Sequence, residues 1–381
     1  KNVYNLQGKQ TKTVEYTYDN TGRLKTESAT RSGATDTYSY TYDAAGNRST
    51  LTATGTQNYT TSYTYDKNNR LLKERKLLTN GTGTTSTYIY DKNGNMLIKR
   101  NGTIQPYTYA NTDGQLGIYL ESELPYTVEK NTYDVFNRLT GTSTDNGKTA
   151  VYKYYPNNLR LSKQVTDGST TTYTGFMWDG SQTAAEFDSG FNLTNIYMFG
   201  RGQSRMMGTN LNTNVKTYYM YNPHGDVQGL TNTSGSLTKT YEYDAFGNEI
   251  DKVDTDTNPW RYCGEYYDVE TDNIYLRNRY YSPSTGTFIT EDPIRDGGNW
   301  YSYCRGNPIY YIDKGGLDPT PAWAIRINAG KATEEDYEKA LSIDPNSWAG
   351  FAGFVVAKAV KIAQGHSSNS ATYIDIKTLT T

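Results

Sequence analysis

Cysteine and histidine, the residues that most often bind metals or act as nucleophiles, are scarce in this sequence. The 381 residues include Cys263, Cys304, His224 and His366. Two isolated cysteines are too few for a disulfide framework or a zinc motif, so we predict no metal site and no cofactor. His224 lies in a turn-like segment, where a lone histidine is usually structural. No Ser-His-Asp order, HExxH helix or phosphate-binding loop is present, which argues against an ordinary metabolic enzyme.

Tyrosine replaces many of the aliphatic residues of a typical core. The chain contains 38 tyrosines, yet its hydrophobic fraction is only 35% and its mean hydropathy is −0.80. A tyrosine ring buries well while its hydroxyl stays hydrated, so this composition favours thin sheets with half-solvated faces. The formal net charge of −2 creates no overall basic field. We therefore expect no nucleic-acid binding by these sheets.

The elements that position these tyrosines repeat along the chain. Tyr-Asp pairs begin at Tyr18, Tyr42, Tyr65, Tyr90, Tyr133, Tyr243 and Tyr267, and the first four are spaced 24, 23 and 25 residues apart. We interpret residues 107–110, Tyr154, Trp178 and Tyr221 as eroded copies. The array therefore extends from residue 1 to about residue 260 in units of about 22 residues.

Each copy has the pattern of an antiparallel hairpin. Tyrosine and threonine alternate before Asp19, so Tyr16 and Tyr18 share one face of a strand. Four residues after the signature tyrosine comes a glycine such as Gly22, or an asparagine, and both types tolerate positive φ in turns. Successive hairpins predict an all-β fold with one long antiparallel sheet that curls into a wall or spiral. A β-propeller fits less well, because a blade needs four strands and about 40 residues.

This signature resembles that of the RHS/YD-repeat family, which includes bacterial polymorphic toxins, the C component of insecticidal Tc toxins and the animal teneurins. The most specific stretches, residues 262–294 and 299–317, resemble the RHS-associated core. The resemblance implies a hollow β-shell that encloses a cargo. It divides the chain into a shell (1–260), a core (261–317) and the start of a partly helical C-terminal cargo or plug (318–381).

The resemblance also implies a reaction. In toxin-associated members the core is an aspartic-type autoprotease that cuts after the leucine of an Asp-Pro-x-Gly-Leu motif. Carried over position by position, the catalytic carboxylates are Asp292 and Asp313, the assisting arginine is Arg279, and the cut lies between Leu317 and Asp318. Two neighbouring carboxylates share a proton, so one can activate water while the other polarises the scissile carbonyl.

Lys314 departs from this motif, which usually has proline there. The missing φ restraint is expected to loosen the scissile segment, and the new cation to favour the ionised form of Asp313. The alternative is that Asp292 and Asp313 only cap turns, as aspartate before proline or glycine commonly does. The protein would then be a non-cleaving surface module that binds carbohydrate or a receptor through its tyrosines. An intracellular scaffold is a third alternative.

Beyond Leu317 the composition changes from strand-like to helix-like. Residues 333–341 carry early acidic residues, and Ser347 is a candidate cap for a helix over 348–363 that is too short and too charged to span a bilayer readily. A linker, a plug and a membrane-active effector remain open for this segment. The resemblance implies a secreted or surface-located bacterial protein, although no signal peptide is visible. Its partners would be its own C-terminal segment and, further, a secretion apparatus or surface carbohydrate.

Overall fold

The fold is nearly all β, as the repeats predict. A computed structural model describes residues 2–4, 10–104, 126–200, 204–253, 255–322 and 324. Twenty strands form one sheet in which each strand pairs antiparallel with its neighbours in sequence, from β1 to β20. The predicted meander of hairpins is therefore confirmed.

The long sheet is followed by two smaller ones. The strands of the long sheet are β1 (Asn2–Tyr4), β2 (Gln10–Tyr18), β3 (Leu24–Arg31), β4 (Ala34–Tyr42), β5 (Arg48–Thr54), β6 (Tyr59–Tyr65), β7 (Leu71–Leu78), β8 (Gly83–Tyr90), β9 (Met96–Ile104), β10 (Tyr126–Tyr133), β11 (Leu139–Thr144), β12 (Thr149–Tyr154), β13 (Arg160–Asp167), β14 (Thr170–Asp179), β15 (Gln182–Phe187), β16 (Leu193–Phe199), β17 (Arg205–Asn210), β18 (Val215–Tyr221), β19 (Val227–Thr231) and β20 (Leu237–Thr240). The smaller sheets comprise β21 (Tyr266–Asp268), β22 (Asn273–Leu276), β23 (Arg279–Ser282) and β24 (Thr287–Phe288), and then β25 (Tyr311–Ile312) and β26 (Thr320–Pro321). Two short 3₁₀ helices span Tyr262–Gly264 and Cys304–Gly306.

Some expectations fall outside the described residues. These are the eroded copy at 107–110 and the helices over 333–341 and 348–363. Strands β9 and β10, on either side of 105–125, pair directly with each other. Within the part of the chain that the structure describes, no helix is long and apolar enough to cross a bilayer.

The aspartate of each signature, apart from Asp268, builds the turn that follows it. Asp19 Oδ1 accepts hydrogen bonds from the backbone N–H groups of Thr21 and Arg23, both at 2.9 Å, and Asp19 Oδ2 accepts one from Arg23 Nε at 2.7 Å. Gly22 lies between them at φ +83°. The same side-chain cap recurs at Asp43, Asp66, Asp91, Asp134 and Asp244. The carboxylate thus satisfies turn N–H groups that no neighbouring strand reaches.

Four strand-ending tyrosines, three of them in Tyr-Asp signatures, join their hairpins to the preceding ones. The hydroxyl of each donates to the first carbonyl of the adjacent strand: Tyr42 to Leu24 (2.8 Å), Tyr65 to Arg48 (3.1 Å), Tyr133 to Met96 (2.9 Å) and Tyr154 to Leu139 (2.6 Å). At the eroded copy that ends β14, a tryptophan takes this role, and Trp178 Nε1 donates to the Arg160 carbonyl at 2.8 Å. One side chain therefore supplies both buried ring surface and a bond between repeats.

Replacing one signature hydroxyl tests this role. Tyr65→Phe leaves the carbonyl of Arg48 without its donor, and we expect a loss of about 1–3 kcal/mol in the free energy of unfolding. Tyr18→Phe is the matched control, because that side chain is 42% exposed and water can replace any lost bond. Its expected change is within about 0.5 kcal/mol. Denaturant midpoints of the two variants give the comparison, and equal midpoints would contradict the assigned role.

Residues 261–307 lie across the turn end of the long sheet. They form direct hydrogen bonds with seven turn regions of that sheet, at Gly22, residues 45–47, Asn69, residues 94–96, residues 158–160, Ser181 and residues 226–227. Turns far apart in sequence thus meet one short segment. The sheet therefore curves around this segment, and we call residues 261–317, which contain it, the core plug.

A buried charge cluster holds the core plug to the sheet. Asp268, fully buried, pairs with Arg160 at 2.6 Å and with Lys163 at 2.8 Å, and Lys163 also reaches Glu270 at 3.0 Å. Burial acts to raise the pKa of Asp268, but the two cations outweigh it and lower that pKa. Because each buried charge has a partner, losing one partner would leave another charge buried and unpaired.

A second buried contact connects the first hairpin to the signature turn at Asp244. Glu27 is 2% exposed and accepts a hydrogen bond from the Ala245 N–H at 2.8 Å. Burial and the neighbouring Asp244 carboxyl raise the pKa of Glu27. Both groups lie where strand β3 meets Phe246, Tyr40 and Leu24 in a small apolar cluster.

The buried Glu27 carboxyl makes the stability of the folded chain depend on pH. The pKa of Glu27 rises from 4.5 to about 8 on folding, so the unfolded chain ionises first as the pH increases. The contribution of Glu27 to stability therefore decreases between those two pH values. We expect Glu27→Gln to raise the unfolding temperature at pH 8 but not at pH 4. Glu15→Gln, at an exposed site, is the control, and a pH-independent effect of Glu27→Gln would contradict the assignment.

Candidate active site

Three separate elements bring the predicted catalytic residues together. Arg279 is the first residue of β23, directly after a two-residue turn from β22 in which Arg277 has φ +62°. Asp292 follows β24, and its backbone N–H donates to the Trp300 carbonyl at 3.1 Å. Asp313 follows β25. The three residues lie far apart in sequence, and the smaller sheets unite them.

Arg279 lies between the two carboxylates. Its Nη2 is 3.8 Å from Asp292 Oδ2 and 3.7 Å from Asp313 Oδ2. The separation of the two carboxylate oxygens therefore cannot exceed the sum of those distances. All three residues are at most 4% exposed. This geometry brings two carboxylates and one cation into a single water-poor site.

Arg279 is held by contacts besides these ion pairs. Its Nη1 donates to the Trp300 carbonyl at 2.9 Å, and its guanidinium carbon lies 3.5 Å from the centroid of the Phe288 ring. Burial lowers the pKa of Arg279, and the two carboxylates act against that change. A guanidinium remains charged even so, because its ordinary pKa is above 12.

Three consecutive side chains hold three consecutive carbonyls of the predicted scissile segment. Arg277 Nη1 donates to the Lys314 carbonyl, Asn278 Nδ2 to the Gly315 carbonyl at 2.9 Å, and Arg279 Nε to the Gly316 carbonyl. Arg277 also pairs with Glu265 at 2.9 Å. The backbone at Lys314 is therefore restrained from outside, although the motif's usual proline is missing. Sequence reasoning did not identify Arg277 and Asn278, although they directly precede Arg279.

Asp313 contacts the predicted scissile segment itself. Its Oδ1 accepts a hydrogen bond from the Leu317 N–H at 3.1 Å. Burial raises the pKa of Asp313, although Arg279 and nearby backbone N–H groups oppose the rise. The pKa of Asp313 therefore shifts in the opposite direction from the shift that Lys314 was expected to cause. Burial outweighs the effect of the neighbouring cation Arg279. Asp318, on the far side of the predicted cut, is exposed.

Cys304 borders the site and was not assigned a role from the sequence. Its buried thiol accepts a hydrogen bond from the Asp313 backbone N–H. Burial, and secondarily the Asp313 carboxylate, raise the pKa of Cys304, so the sulfur is a neutral thiol at neutral pH. We interpret Cys304 as a packing group that holds the backbone of Asp313 in place.

Two adjacent glycines give a test of this segment. Gly316 has φ +67°, and an added Cβ would lie 2.6 Å from the Leu276 carbonyl oxygen. Gly315 has open space at the same position. We expect Gly316→Ala to cost about 1–3 kcal/mol locally. Gly315→Ala should change stability by less than about 0.5 kcal/mol.

Hydrogen exchange at the Leu317 N–H measures the difference. Exchange should accelerate in Gly316→Ala and stay unchanged in Gly315→Ala, because only the first change displaces the segment that Asp313 holds. Equal protection of this amide in both variants would show that the segment is not built as described.

The family follows from the sheet and its repeats. Residues 1–297 match the teneurin YD-shell family. The chain belongs to this family. The match covers the 20-stranded sheet and residues 261–297 of the core plug, so the YD-shell assignment agrees with the tyrosine-linked hairpins described above.

Curated relatives of this YD-shell chain include named nucleases. The tRNA nuclease WapA of Bacillus subtilis (strain 168) is 32% identical over 219 residues, which are 54% of this chain and 9% of WapA. The probable deoxyribonuclease RhsA of Dickeya dadantii (strain 3937) is 25% identical over 207 residues, which are 51% of this chain and 14% of RhsA. The chain thus spans only a small part of the length of these relatives.

Solved structures to which this chain is similar include Tc toxin complexes. The crystal structure of TcdB2-TccC3-Cdc42 is 18% identical and covers 86% of this chain and 19% of that chain, with a TM-score of 0.43. The structure of TcdB2-TccC3 is also 18% identical, covers 83% of this chain and 20% of that chain, and has a TM-score of 0.43.

Proposed function

We propose that this chain is part of a secreted bacterial toxin shell that encloses the polypeptide following its core plug and releases it by self-cleavage after Leu317. The observation that carries the proposal is the position of Arg279 between Asp292 and Asp313. The names of the relatives WapA and RhsA state nuclease activities, which fit a toxic cargo. The polar, thin-walled sheet is compatible with a water-containing enclosure.

The proposed reaction is a single hydrolysis within the chain. One carboxylate of the Asp292–Asp313 pair takes a proton from water, and the water oxygen attacks the carbonyl carbon of Leu317. The protonated partner donates to the carbonyl oxygen, and Arg279 stabilises the negative charge of the intermediate. The bond to the nitrogen of Asp318 then breaks, and that nitrogen takes up a proton. The products are a new carboxyl group at Leu317 and a new amino group at Asp318.

The hydrogen bonds of the core plug explain why such a cut would be specific. The carbonyls of Lys314, Gly315 and Gly316 and the N–H of Leu317 each have a partner next to the carboxylates. A backbone held at four consecutive groups cannot slide past the site. Cleavage of one peptide bond would follow from that restraint, since reaction depends on a fixed attack geometry.

The test is intact mass and denaturing electrophoresis of the chain purified at neutral pH. The parent chain should give fragments 1–317 and 318–381, and Asp292→Asn and Asp313→Asn should remain uncut. Asp296→Asn is the matched control, because its side chain is 57% exposed and should not affect cleavage. Neutral pH matters, because the bond between Asp318 and Pro319 is acid-labile. A mass at that bond would not count as the proposed cut.

Two results would reject the protease. One is an uncut parent chain, and the other is equal cleavage in the parent and both site variants. Enclosure is tested separately by native chromatography of the cleaved sample. Co-elution of the two fragments supports it, and free release of fragment 318–381 without denaturant contradicts it.

The alternative of a carbohydrate-binding surface has less support in the structure. Most described tyrosines have buried or half-buried rings, and several signature hydroxyls are bound to backbone carbonyls. Among the tyrosines in the described part of the chain, the most exposed are Tyr18, Tyr218 and Tyr310. They do not lie on neighbouring strands, so no continuous aromatic platform is built. We therefore do not propose glycan binding.

A further inference from the structure

A histidine, an aspartate and a cysteine meet where the long sheet joins the core plug. His224 Nδ1 is 2.9 Å from Asp226 Oδ1 and 3.9 Å from Cys263 Sγ. The three possible ligand atoms all lie within 4.8 Å of one another. Within the described residues, no other histidine, cysteine or carboxylate group of three is drawn together in this way.

The turn that holds this cluster exchanges the two residues of the other turns: Asn222 caps it, and Asn222 Nδ2 donates to Asp226 Oδ2 at 2.7 Å. Position 226 comes five residues after the strand-ending Tyr221, and at that position other turns carry an arginine or an asparagine, such as Arg23 or Asn47. Here it carries an aspartate instead. Asp226 faces the core plug, and its Oδ1 accepts a hydrogen bond from the Cys263 N–H at 2.9 Å.

The cluster is buried, but part of the His224 side chain still reaches solvent. Asp226 and Cys263 are buried, and the His224 side chain keeps 11% of its surface exposed. Among the described residues, His224 Nε2 is buried without a hydrogen-bond partner, so the ring is held only through Nδ1. The backbone of Cys263 adopts φ +54°, which is uncommon for a residue other than glycine and which directs its N–H toward Asp226.

The donor set matches one class of ligand. Zinc in proteins is bound by thiolate sulfur at about 2.3 Å and by histidine nitrogen or carboxylate oxygen at about 2.0–2.2 Å, in tetrahedral geometry. Ligand atoms in such a site lie about 3–4 Å apart, as these distances require. We propose that His224, Asp226 and Cys263 form a zinc site with three protein ligands, its fourth position open toward the exposed side of His224.

The charges of the cluster are consistent with exchange of protons for a cation. Although burial opposes it, Asp226 raises the pKa of His224, so the ring is protonated at neutral pH. Burial raises the pKa of Cys263 to about 11. A divalent cation would displace the imidazolium proton and the thiol proton together, so the buried site would stay neutral before and after binding.

The site would join two parts of the chain that the sequence separates. His224 and Asp226 belong to a turn of the long sheet, and Cys263 lies at the start of the core plug, beside Arg261 and Tyr262. A bound zinc ion would thus cross-link sheet and core plug near the point where the last hairpin ends. The proposal is independent of the protease, because its ligands do not include Arg279, Asp292 or Asp313.

The test uses the full chain produced in medium supplemented with zinc or with cobalt. Zinc content by mass spectrometry should be about one ion per chain, and the cobalt protein should show a thiolate-to-metal charge-transfer band and tetrahedral d–d bands. Cys263→Ser should lose the charge-transfer band and most of the bound metal. Cys304→Ser is the matched control, because it removes the other buried cysteine and should leave the spectrum unchanged.

A second variant keeps the test valid if Cys263→Ser does not fold. Asp226→Asn keeps an oxygen that can accept from the Cys263 N–H but loses the carboxylate, so it should fold and bind metal at least tenfold less tightly. The unfolding temperature should rise with zinc in the parent chain and in Cys304→Ser only. Absence of metal and of the charge-transfer band in the folded parent chain would overturn the proposal, as would a band that survives Cys263→Ser.

Discussion

The hydrogen bond from a signature tyrosine to the first carbonyl of the neighbouring strand is the interaction on which this fold depends. A sheet one layer thick, with few aliphatic residues, cannot gain its stability from a large apolar core. Tyrosine meets this constraint because its ring covers apolar surface and its hydroxyl satisfies a strand-end carbonyl, as Tyr42 does for Leu24. Burial raises the pKa of Tyr42 to about 12, so the hydroxyl remains a donor at physiological pH.

The turns carry the same bond pattern from one repeat to the next. Arg23 pairs with Asp19 in its own turn, donates to the Asp43 carbonyl of the following turn at 3.2 Å, and lies over the ring of Tyr42. Arg70 and Arg138 make equivalent contacts. Each turn is therefore defined by its own aspartate and aligned by its neighbour. Stability of the array thus arises chiefly from contacts between adjacent units.

The core plug is held by a different kind of contact. Its buried charges pair with residues that are far away in the sequence. Asp268 with Arg160, and Arg279 with Asp292 and Asp313, exclude water and still keep their charges compensated. Such groups are costly to bury unless each has a partner. The same arrangement that fastens the plug to the sheet also gathers the carboxylates proposed for catalysis, so structural and chemical roles share one set of contacts.

Local pattern was enough to predict the hairpins, since alternation of tyrosine and threonine and the turn residues such as Gly22 act over a few residues. It also contained two unrecognised signals: the arginine or asparagine paired with each turn aspartate, and Phe199, which ends β16 with the same register shift as the signature tyrosines. The RHS-associated core pointed to Arg279, Asp292 and Asp313 through resemblance. Only the tertiary structure decided that they share one site, that Arg277 and Asn278 hold the carbonyls at positions 314 and 315, and that His224 meets Cys263. The physical reason is that those contacts depend on how the whole sheet curves around the plug, which no local spacing encodes.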